Sequence, residues 1–535
     1  MPIRVSEMRM PLDGDETALV RRALARAGLK EGEVAQIELV RKSVDKRRRR
    51  PELVYSFDFH LEDAAGAAPR RFPRSRDVRY VEPAILPPLQ RGEAPLDSRP
   101  VVIGMGPAGL FAGLLLAREG YRPIVLERGS AMNRRVGQIE AFHRGRELRP
   151  ESNYLFGEGG AGTFSDGKLT SRSKDPRARL VLDEFRRKSG LDLVGYYYRP
   201  HLGSDRVRAV VGKIRREIIE LGGEMHYECR VDGLDVREGR LAALRTSQGE
   251  IPAEVVVSGP GHSARDFYAA LDEAGAHLER KPFQMGFRVE HPQAWVDEVI
   301  YGDAGLSDRM GPADYRLVAK VDHESVFSFC MCPGGEIMPA VHDAAHYNTN
   351  GMSYFRKDTG FANSGVVTTV PPEAFGGEGP LAGLRFQERA ERLASEIAGA
   401  AFAAPAQRLI DFMEERPSDD VPPTSCRSGT VPARVDELVE PWIAERIRRG
   451  LVAFGSQMRG YLHPEAVIVG PEARSSAPVR VVRGEDLEAE GIGGLYPVGE
   501  GAGYAGGIVS AAVDGWRAAE RIVSRYRRPS GPGGA

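Results

Sequence analysis

The pattern of apolar and polar positions changes character along the chain. Between residues 1 and 62, IRVSEMRM predicts a strand and ETALVRRALARAGL has the apolar spacing of a helix. VAQIELVRKSV and ELVYSFDFHLE alternate like two half-buried strands. This order predicts an α+β unit of the ferredoxin-like type. The proline-rich stretch 86–100 then predicts a boundary to the next unit.

A different pattern begins at residue 99. PVVIGMG predicts a short buried strand, PAGLFAGLLLAREG a helix and RPIVLERG a second strand. Residues 281–375 alternate between apolar residues and Gly/Pro turns, which predicts mostly β-sheet, and 383–403 has helical spacing. The last 70 residues return to strand, glycine-rich turn and helix.

Length and composition narrow the class of protein. The 535 residues are too many for one core and predict about three or four domains. With 74 Lys and Arg against 75 Asp and Glu, the net charge of −1 disfavours a globally basic nucleic-acid binder. The first residues lack the apolar core of a signal peptide, and the longest apolar run is shorter than a bilayer span. Four cysteines make no disulfide framework, so we expect a cytoplasmic protein.

The strongest motif is VVIGMGPAG at 101–109, whose residues 104–109 we name the first glycine turn. Gly104 permits a tight turn, Gly106 lets the backbone approach a pyrophosphate, and Gly109 lets helix and strand pack closely. The helix that starts at Pro107 and Ala108 offers N–H groups to phosphates. Glu127, at the end of the second strand, is placed to bind a ribose 2′-OH and to repel a 2′-phosphate. This motif alone does not separate FAD from NAD.

A second motif lies near the end of the chain. GLYPVGEGAG at 494–503 is a strand followed by Gly-acid and a glycine-rich helix start, and we name residues 499–507 the C-terminal glycine turn. In flavoproteins of the glutathione-reductase type, this acid binds ribityl hydroxyls and the following helix faces the flavin ring, where its positive end stabilises negative charge. Here the usual Asp is replaced by a longer residue. The predicted flavin-half contacts are Gly499, Glu500, Gly503, Gly507 and Ile508.

Residues 153–168, NYLFGEGGAGTFSDGK, form a glycine-dense segment that we name the glycine loop. Its N–H groups could form an anion-binding nest, and the alternative is a surface loop, which Phe156 and Phe164 disfavour. The remaining predicted cofactor contacts are Gly159, Gly160, Ala161, Gly162, Thr163, Arg128, Arg135 and Gly261.

Residues 255–264, VVVSGPGHSA, also resemble a dinucleotide turn, and Glu279 follows 20 residues after Gly259. They predict either a separate NAD(P) domain or, as we favour, a returning strand of the first domain. No Cys-x4-Cys follows the first glycine turn, which disfavours a disulfide reductase.

The candidate catalytic residues are Cys330, Cys332, Arg474 and Lys168. The C-x-C pair could be two small buried hydrophobes, a redox-active or nucleophilic thiol near the flavin, or a substrate-binding loop. An arginine at 474 could bind an anionic substrate or stabilise reduced flavin. His463 could be an acid–base group or structural. No metal-ligand set is predicted.

Seven long segments resemble a bacterial family of uncharacterised FAD-dependent dehydrogenases. They are 151–169, 261–266, 281–293, 328–335, 350–353, 474–480 and 496–508, and the resemblance extends over about 1–525. It implies an α/β fold with a Rossmann-like, three-layer ββα FAD-binding domain, an inserted β-rich substrate domain and an N-terminal α+β ferredoxin-like domain. The expected boundaries are 1–97 for the N-terminal domain, 98–275 and 461–527 for the two parts of the FAD-binding domain, 276–460 for the insertion and 528–535 for a disordered tail.

The resulting hypothesis is an FAD-dependent oxidoreductase that transfers a hydride between flavin N5 and an organic small molecule or NAD(P)H. Two alternatives stay open. One is an RNA-associated flavoprotein that uses the basic strand with Arg41, Lys42 and the run 47–50, a less favoured partner. The other is a flavin-loaded interaction protein without catalysis. No membrane partner is expected.

Overall fold

The computed structural model of the protein describes residues 2–45, 51–62, 75–82, 86–145, 147–170, 174–302 and 304–529. The basic run 47–50 and the tail residues 530–535 therefore lie outside the described residues. Arg528, which we had placed in the disordered tail, donates from Nε to the carbonyl oxygen of Glu119 at 2.7 Å.

The first unit is a four-stranded sheet with one helix among its described residues. Its elements are β1 (Ile3–Pro11), α1 (Glu16–Ala27), β2 (Val34–Asp45), β3 (Glu52–Leu61) and β4 (Val78–Tyr80). Helix α1 begins after Asp15, whose carboxylate accepts the N–H of Thr17, and ends at Gly28 in the left-handed region. The strand order is β2-β3-β1-β4 with antiparallel neighbours, which is the arrangement of a split βαβ unit.

The elements of the following part of the chain are β5 (Val101–Ile103), α2 (Pro107–Arg118), β6 (Ile124–Leu126), α3 (Met132–His143), α4 (Arg177–Ser189), α5 (Leu193–Tyr196), α6 (Gly203–Glu220), β7 (Glu224–His226), β8 (Val231–Arg237), β9 (Arg240–Thr246), β10 (Gly249–Pro252), β11 (Val256–Ser258), α7 (Arg265–Glu273) and β12 (Leu278–Arg280).

The later elements are β13 (Phe283–Pro292), α8 (Gln293–Tyr301), α9 (Ser307–Met310), β14 (Val318–Val321), β15 (Glu324–Pro333), β16 (Glu336–Pro339), β17 (Thr349–Met352), β18 (Phe361–Val370), α10 (Ala382–Ala398), β19 (Ala404–Arg408), α11 (Leu409–Met413), β20 (Thr430–Pro432), α12 (Pro441–Gln457), β21 (Val467–Glu472), β22 (Val479–Val481), β23 (Leu495–Pro497) and α13 (Ile508–Arg525).

A five-stranded parallel sheet of order β23-β11-β5-β6-β7 carries both glycine turns. Successive side chains of a strand point to opposite faces. Val101 and Ile103 accordingly pack in one core with the β8–β10 meander, while Val102 packs in another with α2, α6 and α13. The result is the mixed α/β fold with a parallel sheet that the sequence predicted, in three layers.

The position of β11 distinguishes between the two interpretations of residues 255–264. It lies between β5 and β23 in the same parallel sheet, so 255–264 is the returning strand that we favoured. Glu279 belongs to β12, which pairs antiparallel with β22. The interpretation as a separate NAD(P) domain was therefore wrong.

A seven-stranded sheet of order β14-β15-β18-β13-β21-β19-β20 builds the region after residue 282. Phe283, Phe287 and Val289 of β13 pack with Ile447 and Leu451 of α12 in its core. Strand β21, which we had predicted for the second part of the FAD-binding domain, pairs with β13 and β19 in this sheet. Its apolar run VIV could belong to either sheet, because both are buried on two faces.

Among the helices of the described residues, none is both long enough and apolar enough to cross a bilayer.

Candidate functional site

A cavity of about 500 Å³ lies at the carboxyl ends of the parallel strands, against one face of the seven-stranded sheet. Its volume is in the range of small-molecule and cofactor sites, and its position is the usual ligand position of open parallel sheets. The parallel-sheet side of the wall comes from parts of 103–108, 126–128, 155–170, 229–231, 259–267 and 498–511. The opposite side is formed by Gln284, Phe329, Cys330, Thr349, Asn350, Glu472, Arg474, Ser475 and Ser476.

Helices α2 and α13 both begin at this cavity. Gly106 and Gly507 are their N-caps, and in the described part of the chain no side chain caps either first turn. A Cβ on Gly106 would have its nearest neighbour, the Cα of Gly160, only at 4.0 Å, and one on Gly507 would meet none of the described atoms within 4 Å. Two helix ends with unpaired N–H groups thus face space that a bound anionic group could fill.

Glu127 has more partners than the sequence indicated. Its Oε1 accepts the N–H groups of Gly129 and Gly157, and its Oε2 accepts that of Met105, each at 2.9 Å. A carboxylate has about four acceptor positions, so one stays without a partner among the described residues. That position on the cavity wall fits a ribose hydroxyl, while the bonds to Met105 and Gly157 connect the first glycine turn to the glycine loop.

Arg135 holds the glycine loop in place through hydrogen bonds to its backbone carbonyls. Its side chain is fully buried, and burial lowers its pKa to about 9. The guanidinium donates to the side-chain oxygen of Thr163 and to the backbone carbonyls of Asn153, Tyr154, Gly157, Glu158 and Gly160. The N–H groups of Gly157, Glu158, Gly159 and Gly160 are also bonded within the protein, to Glu127, Ser130, Met105 and Gly157 respectively. Those of Ala161 and Gly162, which lie in the wall at the start of a 3₁₀ turn, are left for the cavity side. Four loop glycines, Gly157, Gly159, Gly160 and Gly167, adopt positive φ.

Most predicted site residues reach the cavity wall. They are Gly104, Gly106, Pro107, Ala108, Glu127, Arg128, Gly160, Ala161, Gly162, Lys168, Gly261, Cys330, Arg474, Gly499, Glu500, Gly507 and Ile508. Outside the wall are Gly109, Arg135, Gly159, Thr163, Cys332 and Gly503.

The predicted residues outside the wall do not face the cavity, and the glycines among them allow close packing of neighbouring segments. A Cβ on Gly109 would lie 1.9 Å from the carbonyl oxygen of Gly104, and one on Gly159 would lie 2.3 Å from Cγ2 of Thr163. Gly503 has φ 85° and lies against Val479. Arg135 was predicted as a cofactor contact, whereas its role in holding the glycine loop was not, because its partners are carbonyls that only the folded loop brings together.

Several wall residues were not among the predicted site residues. They include Asp166, Cys229, Arg230, His262, Gln284 and Phe329. His262 lies inside the GHSARD segment, which offered a signal because it directly follows a strand of the parallel sheet. His463, in contrast, stacks near Trp295 and accepts the N–H of Glu465 at 3.1 Å, away from the wall.

The guanidinium of Arg474, which we predicted to bind a substrate or reduced flavin, already forms an ion pair within the protein. Its Nε and Nη2 donate to the carboxylate of Glu391 at 2.7 and 2.8 Å, and its Nη1 lies 3.4 Å from Nδ1 of His342. The two donors that could bind a substrate carboxylate in a bidentate way, Nε and Nη2, are therefore already used by Glu391. Glu391 is fully buried and also accepts from Arg265 at 2.7 and 2.9 Å. Burial raises the pKa of Glu391, but the charges of Arg265 and Arg474 outweigh it and hold the pKa well below its usual range.

Replacing Glu391 tests this ion-pair cluster. Glu391→Gln leaves two buried arginines uncompensated, and we expect it to cost about 3–5 kcal/mol at pH 7. Because the folded-state pKa is depressed, the stabilisation is complete above the unfolded pKa of about 4.3 and is lost as pH falls below it. The difference in melting temperature between wild type and variant should therefore stay nearly constant from pH 7 to about pH 5 and narrow as the pH is lowered further to about pH 3. A difference that stays constant with pH would contradict the account. Glu388→Gln, with its longer 3.6 Å contact to Arg265, is the matched control.

Glu500 and His262 form a second polar pair in the wall. His262 donates from Nε2 to the carbonyl oxygen of Arg474 at 2.9 Å, and its Nδ1 lies 3.7 Å from Oε1 of Glu500. Burial, reinforced by Arg474, lowers the pKa of His262 to about 4, so this ring is neutral at pH 7. Burial raises the pKa of Glu500 to about 7, while Lys281 opposes this shift. A carboxyl poised between its two protonation states thus lies beside the C-terminal glycine turn.

The fold is a mixed α/β fold with a Rossmann-like parallel sheet, and the cavity lies at the carboxyl ends of its strands. A family model described as "FAD-dependent protein, C-terminal domain-like" matches residues 282–475, and a domain family of unknown function matches 2–60. A protein of Clostridium beijerinckii, named only as uncharacterized, is 37% identical over 534 residues, which is 99% of this chain and 100% of that protein. The chain belongs to this family of FAD-dependent proteins.

Solved structures with similar folds are more distant. L-proline dehydrogenase from P. horikoshii is 12% identical with a TM-score of 0.33, covering 80% of this chain and 94% of its own. Glycine oxidase from Bacillus cereus is 12% identical with a TM-score of 0.34, covering 79% and 96%. Both TM-scores are below 0.5, so these two similarities carry no functional conclusion.

Proposed function

We propose that the protein is an FAD-dependent oxidoreductase that transfers a hydride between flavin N5 and an organic small molecule. The observation that carries this proposal is the shared cavity. Gly106 and Glu127 on one side and Glu500 and Gly507 on the other, hundreds of residues apart in sequence, line the same space. The seven-stranded sheet closes that space opposite the parallel strands.

The chain's own residues fit FAD. The unpartnered acceptor position of Glu127 suits the adenosine ribose, and the start of α2 together with the glycine loop suits the pyrophosphate. The start of α13 and Glu500 suit the ring end. When bound, FAD supplies two-electron chemistry at its isoalloxazine ring.

The substrate side of the cavity is polar and held rigidly. Arg288 is fully buried and donates to Asn363 at 2.8 Å and to Glu472 at 2.9 Å, with Asn350 at 3.4 Å. This network fixes Asn350 and Glu472 in the wall. We propose that a small polar substrate binds there, and that these side chains orient it and exclude water.

The experiment is anaerobic reduction of the reconstituted protein. The FAD-loaded chain is mixed with NADH, NADPH or fractionated small metabolites, and bleaching of the flavin absorbance is followed. We expect at least one of these to reduce the flavin at a rate that saturates with its concentration. A flavin that binds tightly but is reduced by none of them would favour the non-catalytic alternative.

RNA binding stays a prediction of the sequence. Of the described basic residues on β2, Arg41 stacks over the ring of Tyr198 at 4.5 Å, and Lys42 pairs with Glu16 at 2.7 Å. These two cations already have protein partners, which weighs against a role in phosphate binding. Reversing the charge of residues 47–50 and measuring a salt-dependent RNA shift would test the remaining part of the prediction.

A further inference from the structure

The C-x-C segment is the most unusual backbone in the cavity wall. The pairing of β15 with β18 changes register between Phe329 and Cys332, and Cys330 has φ 45°, in the left-handed region that non-glycine residues rarely adopt. As a result Cys330 forms part of the wall, while Cys332 is fully buried behind it. Strained backbone of this kind is concentrated at functional sites.

Positive charge surrounds this segment. The ammonium of Lys168 donates to the carbonyl oxygen of Met331, between the two cysteines, and pairs with Asp166 at 3.1 Å. Arg288 donates from Nη1 to the carbonyl oxygen of Cys330 at 3.3 Å. Both cations are held in place by the protein and favour negative charge on the Cys330 sulfur.

The second cysteine supplies a hydrogen-bond donor. The S–H of Cys332 donates to the carbonyl oxygen of Cys330 at 3.1 Å, so this donor lies next to Cys330. One S–H proton serves one acceptor at a time, so it turns to the sulfur when Cys330 ionises. A hydrogen bond from Cys332 lowers the pKa of Cys330, and Lys168 and Arg288 add to the effect, whereas burial and the carboxylate of Asp166 oppose it. The pKa of Cys332 is raised by burial, so it keeps its proton.

We propose that Cys330 is a nucleophilic thiolate that forms a covalent bond with soft carbon electrophiles entering the cavity. The sulfur's electron pair forms the new S–C bond and the leaving group departs with its own pair, as iodide does from iodoacetamide. No electrons are transferred, and no co-reactant is needed. The site goes beyond the proposed function, because its reactivity requires neither FAD nor hydride transfer.

The test is alkylation of the full chain by iodoacetamide across a pH series, with and without FAD, followed by mass mapping of the labelled peptide. N-acetylcysteine in the same buffer is the reference, with the ordinary thiol pKa of about 8.5. We expect the Cys330 rate to reach half its maximum at least about one pH unit below the reference. A midpoint at or above the reference would overturn the proposal. If the chain failed to bind FAD, the FAD-free series would still give this result.

Two variants test the origin of the reactivity. Cys332→Ala and Lys168→Met should each move the midpoint up by about one pH unit, and Lys168→Arg should restore it because the charge returns. Cys426→Ala, at a buried cysteine outside the cavity, should leave it unchanged. Circular dichroism confirms that each variant is folded. Folded variants that leave the midpoint unmoved would overturn the assignment of Cys332 and Lys168.

Discussion

Gly106→Asp should weaken FAD binding strongly while leaving the apoprotein as stable as wild type. Gly106 is the N-cap of α2 with φ −71° and ψ 179°, a conformation that Asp adopts readily, and its nearest neighbour would be 4.0 Å from the new Cβ. Asp is a favoured N-cap residue, so the helix itself is not harmed. The carboxylate would occupy and neutralise the helix end that we assign to the pyrophosphate. We expect FAD affinity to fall at least about 100-fold, close to 3 kcal/mol.

The measurement is FAD titration by fluorescence quenching, together with the melting temperature of the apoprotein. Gly32→Asp is the control, because a Cβ there also meets no described atom within 4 Å and the site lies in the N-terminal unit, away from the cavity wall. It should bind FAD as the wild type does. If Gly106→Asp kept full affinity, the first glycine turn would not hold the pyrophosphate.

Arg135→Ala should lose both stability and FAD. The substitution removes the donor that five carbonyls and the Thr163 hydroxyl share. The carbonyls of Asn153, Tyr154 and Glu158 have no other donor among the described residues, and each orphaned buried group costs about 1–3 kcal/mol before the loop relaxes. We expect the apparent melting temperature to fall by roughly 5–10 °C and the glycine loop to become sensitive to protease. FAD binding should weaken in parallel, because the loop's N–H groups lose their orientation.

The neighbouring Arg134→Ala is the matched control. Arg134 lies on the same helix but its side chain is 66% exposed, and its ion pair with Glu228 at 2.7 Å is on the surface. Surface pairs of this kind contribute little, so the melting temperature should stay within about 1–2 °C of wild type. Equal effects of the two substitutions would show that the loss comes from α3 in general and not from the loop contacts.

The sequence predicted the fold well where the pattern was local. The apolar strand 101–103, the glycine turn and the helix after it are consecutive, so their order alone indicated the parallel sheet. The position of β21 was not accessible in this way, since a VIV run buried on both faces fits a strand of either sheet. Strand pairing over long separations depends on packing that local pattern does not encode.

In the site, too, features set by local sequence were predictable and contacts between distant segments were not. Glu127 was recognisable because its distance from the first glycine turn is set by one βαβ unit. Its three backbone partners were not, because one of them, Gly157, comes from a loop 30 residues further on. The engagement of Arg474 by Glu391 was also hidden, since α10 and the segment after β21 meet only in the folded protein. The sequence thus identified candidate functional side chains but not the protein groups to which they are already bonded.

The most direct test of the central claim is backbone amide hydrogen exchange with and without FAD. Two separate stretches, 104–109 at the start of α2 and 506–511 at the start of α13, carry N–H groups that lack partners in the helices themselves. If one FAD molecule spans the cavity, both stretches should become protected together and at the same FAD concentration. Protection of only one stretch, or of neither, would contradict the account.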